Sequence, residues 1–413
     1  MAINNNSSTS WAGIFKEVYK SGDVVEIAKK VTLLAQKFKF SQKDAIGNKY
    51  HVPIRLSHEH SIVYAAAGTT PTWSAATYAN GIIGDAQVDG AQIAARTAVD
   101  YEALMKSSNG DKASFVKATY EGVRSLSLST AKRLEADILH GGRGWGTIES
   151  TSGSTLTITA ETWAPNLWML TKGMSLDAYA SDGTTARTNS AADTISSVNL
   201  STRTITLGNS VDASWVAGDF VFPESGSATN CMKGIDYVAN NTGTLYNISG
   251  ATYEVMQGNV IDTATGLPSM AKLLNGVAVL ASKGAQGKMT AIMSPKAFSV
   301  LNSDQSALRA YPKAGGKGEN GFEELVFHTG FGTLELMAHP YQKDGLIHLV
   351  QDDELSRIGA AELSFIRRGA GGEDVLSLEV STAAASELRV YGSQSLFCEA
   401  PAHVGVLAGV TYS

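Results

Sequence analysis

Along this chain the apolar positions change period several times, and each change marks an element. Residues 1–48 open on a polar Asn/Ser-rich stretch carrying Trp11, Ile14, Phe15 and Val18, then take helical spacing through Val24, Val25, Ile27, Ala28, Val31 and Leu34. So short a segment cannot enclose a core, so an arm is expected, lying against the rest of the molecule or a neighbour. From Lys49 to about Asp100 the spacing becomes two. Val52, Ile54 and Leu56 alternate with Pro53, Arg55 and Ser57, and a second run follows through Val88, Ile93 and Ala95. Proline lacks the N–H that an inner strand donates, so Pro53 marks an edge. Between the runs, residues 65–84 are rich in Ala, Gly, Thr and Tyr around Trp73. The pattern predicts a long two-stranded hairpin with a loose tip, and a lone hairpin is marginal in water unless it lies on a partner.

Spacings of three and four return after Asp111, a candidate cap, through Phe115, Thr119, Val123, Leu126, Thr130, Leu134 and Ile138. Lys117, Glu121, Arg124 and Lys132 lie largely outside that stripe. A helix over 112–140 is predicted, roughly 40 Å long, with one face to bury; the Gly141-Gly142-Arg143-Gly144 run stops it. Residues 147–226 are then dominated by Thr, Ser, Ala, Gly and Asp. Helical periodicity vanishes there, and short strand signals recur at 156–158, 194–198, 203–207 and 220–222, which reads as a small all-β module inserted into a host domain. Beyond Gly234 strands and helices mix. A helix is expected from about Leu267 to Lys283, a strand at 289–293, a helix started by Ser294-Pro295, and extended segments at 334–337, 346–350, 376–380 and 388–391. The fold class is α+β, with no internal repeat of solenoid period.

Composition narrows the function. The 413 residues carry a net charge of −6, so there is no general basic field to grip phosphates. The N-terminus has no basic region followed by an apolar run, and no stretch of about 18 apolar residues occurs, so neither secretion nor a membrane is expected and the chain is placed in the cytosol. Cys231 and Cys398 stand far apart without CxxC or Cys/His spacing, which speaks against zinc and against a disulfide framework.

Catalytic patterns fail on inspection. His58 and His60 point to one strand face but have no further ligands near, and His339-Pro340 reads as a turn. Around Gly315-Gly316-Lys317-Gly318, a phosphate loop would need glycine at Tyr311 and a hydroxyl residue at Gly318. No GxSxG or HExxH occurs. Asp352-Asp353-Glu354 reads as a solvated turn, and Arg367-Arg368 as an exposed loop meeting a neighbouring subunit's carboxylate. No enzyme, cofactor or metal is expected.

The order arm, long hairpin, long helix, mixed domain resembles the major capsid proteins of tailed bacteriophages with the Hong Kong 97-type fold. Further likeness lies in Gly234-Ile235-Asp236, in 242–249 (TGTLYNIS), in 291–298 (AIMSPKAF), and in the closing 396–401 (LFCEAP). The likeness rests on collinearity rather than on any one short motif. It implies an N-terminal arm (1–48), an extended loop (49–100), and a peripheral domain with its spine helix (101–146). An inserted β domain (147–226), an axial domain (227–343), peripheral strands and loop (344–395) and an axial C-terminal part (396–413) follow. It also implies a homo-oligomer of hexamers and pentamers in a closed icosahedral shell, assembled in the host cytoplasm to become the virion capsid. The shell would enclose packaged double-stranded DNA without specific binding, and its partners would be a separate scaffolding protein, a portal and decoration proteins. Trp11, Phe15, Arg55, Trp73, Tyr78, Arg367, Arg368 and Glu373 become candidate assembly contacts.

Two departures matter. Self-crosslinking members join a lysine of the extended loop to a neighbour's asparagine, yet no lysine occurs between His51 and Met105, so no covalent chain-mail is expected. The hairpin also begins near residue 49, without the long scaffolding extension of some members. Two other readings stay open: an encapsulin-like compartment shell, which shares the fold, and a glycan-binding phage surface protein, for which Trp163, Trp168 and Trp215 would supply aromatic platforms.

Overall fold

The computed structural model describes residues 33–41, 45–46, 49–73, 77–102, 112–188, 194–303, 325–365, 377–379 and 384–412. Trp11, Phe15, Asp111, the lysine-bearing loop at 315–318, and Arg367, Arg368 and Glu373 lie outside the described residues.

The described chain starts at a short helix, α1 (Leu33–Lys37), followed by β1 (Phe40–Ser41). Then β2 (Ala45–Ile46), β3 (Lys49–Arg55) and β4 (Ile83–Val88) make a small antiparallel sheet in that order. The alternation in β3 does what its period implies. Val52, Ile54 and Leu56 pack half-buried against the main core, while Pro53 and Arg55 face solvent. Pro53 pairs with Asp85 on one side, and β2 on the other side reaches only Lys49 and Tyr50, so the missing N–H breaks no ladder there.

β5 (Ala91–Asp100) departs from the expected hairpin. The ladder between β3 and β4 ends at Tyr50↔Val88. β5 instead runs antiparallel along a strand near the C-terminus, from Ala91↔Gln394 to Asp100↔Ala385. The cause is apolar cover: Ala95 packs on the cluster of Val123, Leu126, Leu388 and Val390, which a hairpin in solvent would not offer.

α2 (Lys112–His140) occupies the whole predicted span. Val123, Leu126, Thr130, Leu134 and Ile138 of the stripe are buried; the side chains of Phe115 and Thr119 lie outside the description. Towards its end the helix is enclosed all round, since Ala131, Glu135, Ala136, Asp137, Leu139 and His140 are buried as well.

β6 (Gly146–Ser152), β7 (Thr155–Ile158), β8 (Leu176–Tyr179), β9 (Ile195–Asn199), β10 (Thr204–Leu207) and β11 (Phe220–Pro223) form one antiparallel sheet in the order β8-β11-β6-β7-β10-β9. This sheet is no separate bead. Ile148, Trp163 and Trp168 share a continuous core with Leu134, Ile138 and Tyr341, and the backbone at 161–163 accepts hydrogen bonds from Asp344 and Gly345.

A short helix, α3 (Ile235–Ala239), precedes a two-stranded hairpin of β12 (Thr244–Leu245) and β13 (Ile248–Ser249). The last part holds β14 (Asn259–Gly266), α4 (Met270–Ser282), β15 (Gly287–Met293), α5 (Pro295–Ser303), β16 (Leu325–Thr329), β17 (Gly332–Ala338) and β18 (Ile347–Gln351). It ends with β19 (Leu355–Phe365), β20 (Ser377–Glu379), β21 (Ala385–Cys398) and β22 (Gly405–Val410). Ser269 caps α4 by accepting from the Lys272 N–H, and Pro295 opens α5 where no intrahelical N–H is needed.

A mixed sheet in the order β14-β22-β18-β15-β17-β16 is covered on both faces. Met289, Ala291, Met293, Leu349 and Leu407 face the helices α4 and α5, while Ile292, Val350 and Val406 join the main core. A second sheet is built on β21, with β5 on one edge, β19 and β20 on the other, and β1 parallel to β19.

These parts meet where α2 ends. The Gly234 N–H donates to the Gly141 carbonyl at 2.9 Å, and a Cβ at Gly141 would strike the carbonyl oxygens of Met232 and Asp137. Because the obstructing atoms are backbone, they cannot turn aside. Gly141→Ala should therefore destabilise the unassembled subunit by about 3 kcal/mol or more, within the range of overpacked cores, as read by urea denaturation.

Candidate functional site

The hairpin of β3 and β4 continues past its ladder as a limb. Leu56 N–H donates to Ile82 O at 2.8 Å and His60 N–H to Ala79 O at 3.0 Å. Beyond that, large apolar side chains stand in solvent: Ile62 is 67% exposed, Tyr64 92%, Trp73 96% and Tyr78 91%. Large apolar side chains this exposed on one limb make it the candidate interaction surface, and covering one such side chain fully is worth about 1.5–3 kcal/mol. Of the sequence-selected contacts, Trp73 and Tyr78 both stand exposed on the limb and Arg55 is exposed at the end of the β3–β4 ladder. Ile62 and Tyr64 were missed, although the same signal marks them: apolar residues inside a stretch of small and polar ones.

Residues 33–41 are seated in a buried polar joint that had no signature in the sequence. Glu135 lies at 0% exposure, accepts the Leu34 and Ala35 N–H groups at 3.2 and 2.9 Å, and contacts His339 Nε2 at 2.9 Å. Its carboxylate thereby satisfies N–H groups at the start of α1, where a helix leaves donors unpaired. Lys37 reaches from the same helix to Glu335 at 3.3 Å and Asp352 at 3.1 Å, and Lys288 joins both carboxylates. Arg357 donates to the carbonyls of Phe38 and Ala35 and to Gln394 Oε1. Residues 33–41 therefore staple the spine helix, the β15–β17 face and the β19–β21 sheet together. One sequence expectation is corrected here: Asp352 lies not in a solvated turn but in a half-enclosed charge network. His339-Pro340 does form a turn, closed by the Gln342 N–H donating to the His339 carbonyl, and the His339 ring is buried against Glu135.

One turn further along, Asp236 of α3 is buried with Lys343 Nζ at 3.2 Å, His140 Nδ1 at 3.4 Å, His348 Nε2 at 3.6 Å and Arg143 Nε at 3.8 Å. Burial pushes the Asp236 carboxyl up, but the Lys343 charge and the polar contacts of His140 and His348 outweigh it and hold the group well below the usual range. Burial, aided by Lys343, drives His140 down to about 3. Burial also raises Asp137 to about 6, against the pull of Arg133, and lowers Lys132 to about 8.

This arrangement joins parts of the fold. His140 is too weak a base to take a proton near neutrality, and burial lifts the Cys231 thiol to about 11. Among the described residues no three His, Cys, Asp or Glu groups are placed to hold a metal, and no helix is long and apolar enough to cross a membrane. A cleft of about 460 Å³ lies between β5, α2 and the sheet of 146–223, bordered by Ile93, Arg133, Trp145, Lys172 and Met174. Trp163, Trp168 and Trp215 are all buried, Trp163 stacked on Trp168 at 6.2 Å, so they offer no platform to a sugar ring.

Protonation of His140 and Asp137 pulls stability in opposite directions. With His140 depressed in the folded state, the unfolded chain binds the extra proton, so its contribution is complete above about pH 6.5 and falls as pH drops towards 3. With Asp137 raised, the folded chain binds the extra proton, so its contribution is complete below about 3.8 and is lost as pH rises through 6. Asp137→Asn should stabilise the unassembled subunit by about 2 kcal/mol at pH 7.5 and leave a steeper loss on acidification, measured by urea titration across pH 4 to 8.

No protein-family model and no curated protein sequence matches this chain. Solved structures do. The chain superposes on a subunit of the cyanophage A-1(L) capsid asymmetric unit with a TM-score of 0.54 at 11% identity, covering 92% of this chain and 93% of that one. A subunit from the capsid of an empty GTA particle gives 0.50 at 9% identity, with 99% and 100% covered. The holo-SrpI encapsulin of Synechococcus elongatus gives 0.41 at 9% identity with 100% of both chains covered, too loose an overlay to weigh between shells. At such identities the likeness is one of fold, and it runs end to end: the chain has the Hong Kong 97-type capsid-shell fold, as built in tailed-phage major capsid proteins.

Proposed function

We propose that this chain is the major capsid protein of a tailed bacteriophage, a structural, non-catalytic subunit whose copies assemble as hexamers and pentamers into the icosahedral head around double-stranded DNA. The observation that carries the reading is the limb: four large apolar side chains held in solvent at the end of an extended hairpin, on a body whose own core is filled. In one copy that exposure is a cost. In a lattice each limb lies on a sister subunit, and the symmetry of a closed shell supplies every copy with the same cover. Residues 1–48 act as the arm, 49–90 as the limb, and the sheet of 146–223 as an ornament on the spine helix. The net charge of −6 suits a container that holds DNA without gripping it. A separate scaffolding protein, a portal and decoration proteins complete the particle, which is assembled in the host cytoplasm.

Purified protein, alone or with its scaffolding partner, should form closed shells by negative-stain microscopy, and particles from producing cells should protect double-stranded DNA from nuclease. Shells filled with a protein cargo instead would overturn the phage reading in favour of a compartment. Replacing Ile62, Tyr64, Trp73 and Tyr78 with serine should abolish shells while leaving the subunit's melting temperature within about 2 °C, since exposed positions away from packed features change stability little. With no lysine between His51 and Met105, assembled shells boiled in detergent should run as a single band at the monomer mass; a ladder of linked chains would contradict this.

A further inference from the structure

The root of the limb is held by a second, far smaller hairpin. β12 and β13 pair only through Thr244↔Ser249 and Leu245↔Ile248, and Tyr246 and Asn247 between them take φ of 51° and 66°. A tight two-residue turn needs positive φ at both places, and Asn-Gly is the usual means. Asparagine tolerates that region, whereas tyrosine, with its Cβ and ring, enters it at a cost of about 1–2 kcal/mol. Contacts in three directions hold Tyr246 there. Its phenol donates to the Leu396 carbonyl at 3.0 Å, its ring packs on Phe397 with centroids 5.3 Å apart, and its carbonyl accepts the Gln87 N–H at 2.9 Å. Leu396 and Phe397 belong to β21, in the body; Gln87 belongs to β4, in the limb. Beside it, Ile248 Cδ1 stands 3.2 Å from the place a Cβ would take on Gly84, so the second small-hairpin side chain rests directly on limb backbone.

We infer that Tyr246 is a positioning residue: it fixes the direction in which the limb leaves the body, and through that direction the curvature of the shell. The second half rests on the capsid reading above; the first does not. Attachment through a carbonyl, a ring face and an N–H restricts rotation as well as distance. The limb runs about a dozen residues beyond Leu56, up to roughly 40 Å at about 3.3 Å per extended residue. A turn of about 5° at its root thus shifts the tip by roughly 3 Å, enough to take an aromatic ring out of a fitted pocket. Reliance on tyrosine where glycine or asparagine would serve is explained if the tie, rather than the turn, is what the position supplies.

Two variants test this. Tyr246→Phe removes only the phenol oxygen, and Ile248→Val removes only the methyl that rests on Gly84, so both retain the core. Tyr412→Phe is the matched control, since it loses a phenol-to-carbonyl bond to Asp344 far from the limb. Hydrogen exchange of the unassembled subunit should speed up about threefold to tenfold at residues 50–56 and 82–88, Gln87 above all, in the first two variants and not in the control, as expected for one lost hydrogen bond in Tyr246→Phe and one lost buried methyl in Ile248→Val. Shells of the two variants should show a shifted or broadened diameter distribution, with control shells matching the wild type. Unchanged exchange at the root in both variants, or equal acceleration in the control, overturns the tie. Accelerated exchange with wild-type shell diameters overturns its link to curvature. Failure of the wild-type protein to form shells at all would instead strike the capsid reading, while the exchange experiment still judges the tie.

Discussion

The end of the spine helix is the constraint on which the rest of the molecule depends. A helix that leaves Arg124, Ser125 and Ser129 exposed becomes enclosed on every side in its last turns, where Glu135, Asp137 and His140 are buried. Each buried charge or ring nitrogen then needs a partner, because an unpaired one costs several kcal/mol. The partners come from four separate stretches: the arm root for Glu135, Arg133 for Asp137, and Asp236, Lys343 and His348 for the cluster around His140. Meeting these demands fixes how the sheets, the small helix α3 and the arm root lie relative to one another. The glycines at 141 and 234 permit the backbone approach that the joint requires.

That arrangement explains what could and could not be read in the sequence. The one-faced part of α2 was legible because period and burial agree there, and so was the inward face of β3. Glu135, Asp137 and His140 were not. In a helical wheel such residues pass for a solvated face, and only the closing of other elements over them reveals the opposite. Asp352 misled for the same reason, since its cations, Lys37 and Lys288, arrive from distant parts of the chain. β5 shows another limit: alternation tells that Ile93 and Ala95 lie on a strand, but not whether that strand pairs with β4 or β21.

The site was half legible. Trp73 and Tyr78 stood out as large rings in an otherwise small and polar text, and they do stand exposed on the limb. The tryptophans at 163, 168 and 215 carried the same surface signal and had the opposite fate, filling the core beneath their sheet. A ring's type does not say which side of a strand or turn it takes. For Trp163 and Trp168 the deciding facts are their stacking on each other and the edge-on contact of Trp168 with Trp145 at 5.8 Å, none of which has a local signature.

The sheet of residues 146–223 begins and ends at one place, since Gly146 pairs with Val221 and Thr147 with Phe220 on adjacent antiparallel strands. The chain therefore enters and leaves this sheet through a stalk two strands wide, beside a base that tryptophan welds into the main core, and the far rim is open, where Ser201 and Thr202 sit in a turn tied back to Asn199. Sequence can be added, trimmed or exchanged at that rim without moving either end of the stalk. A segment exchanged there would change the chemistry of the rim once in every copy of the chain and leave the packing of the frame untouched.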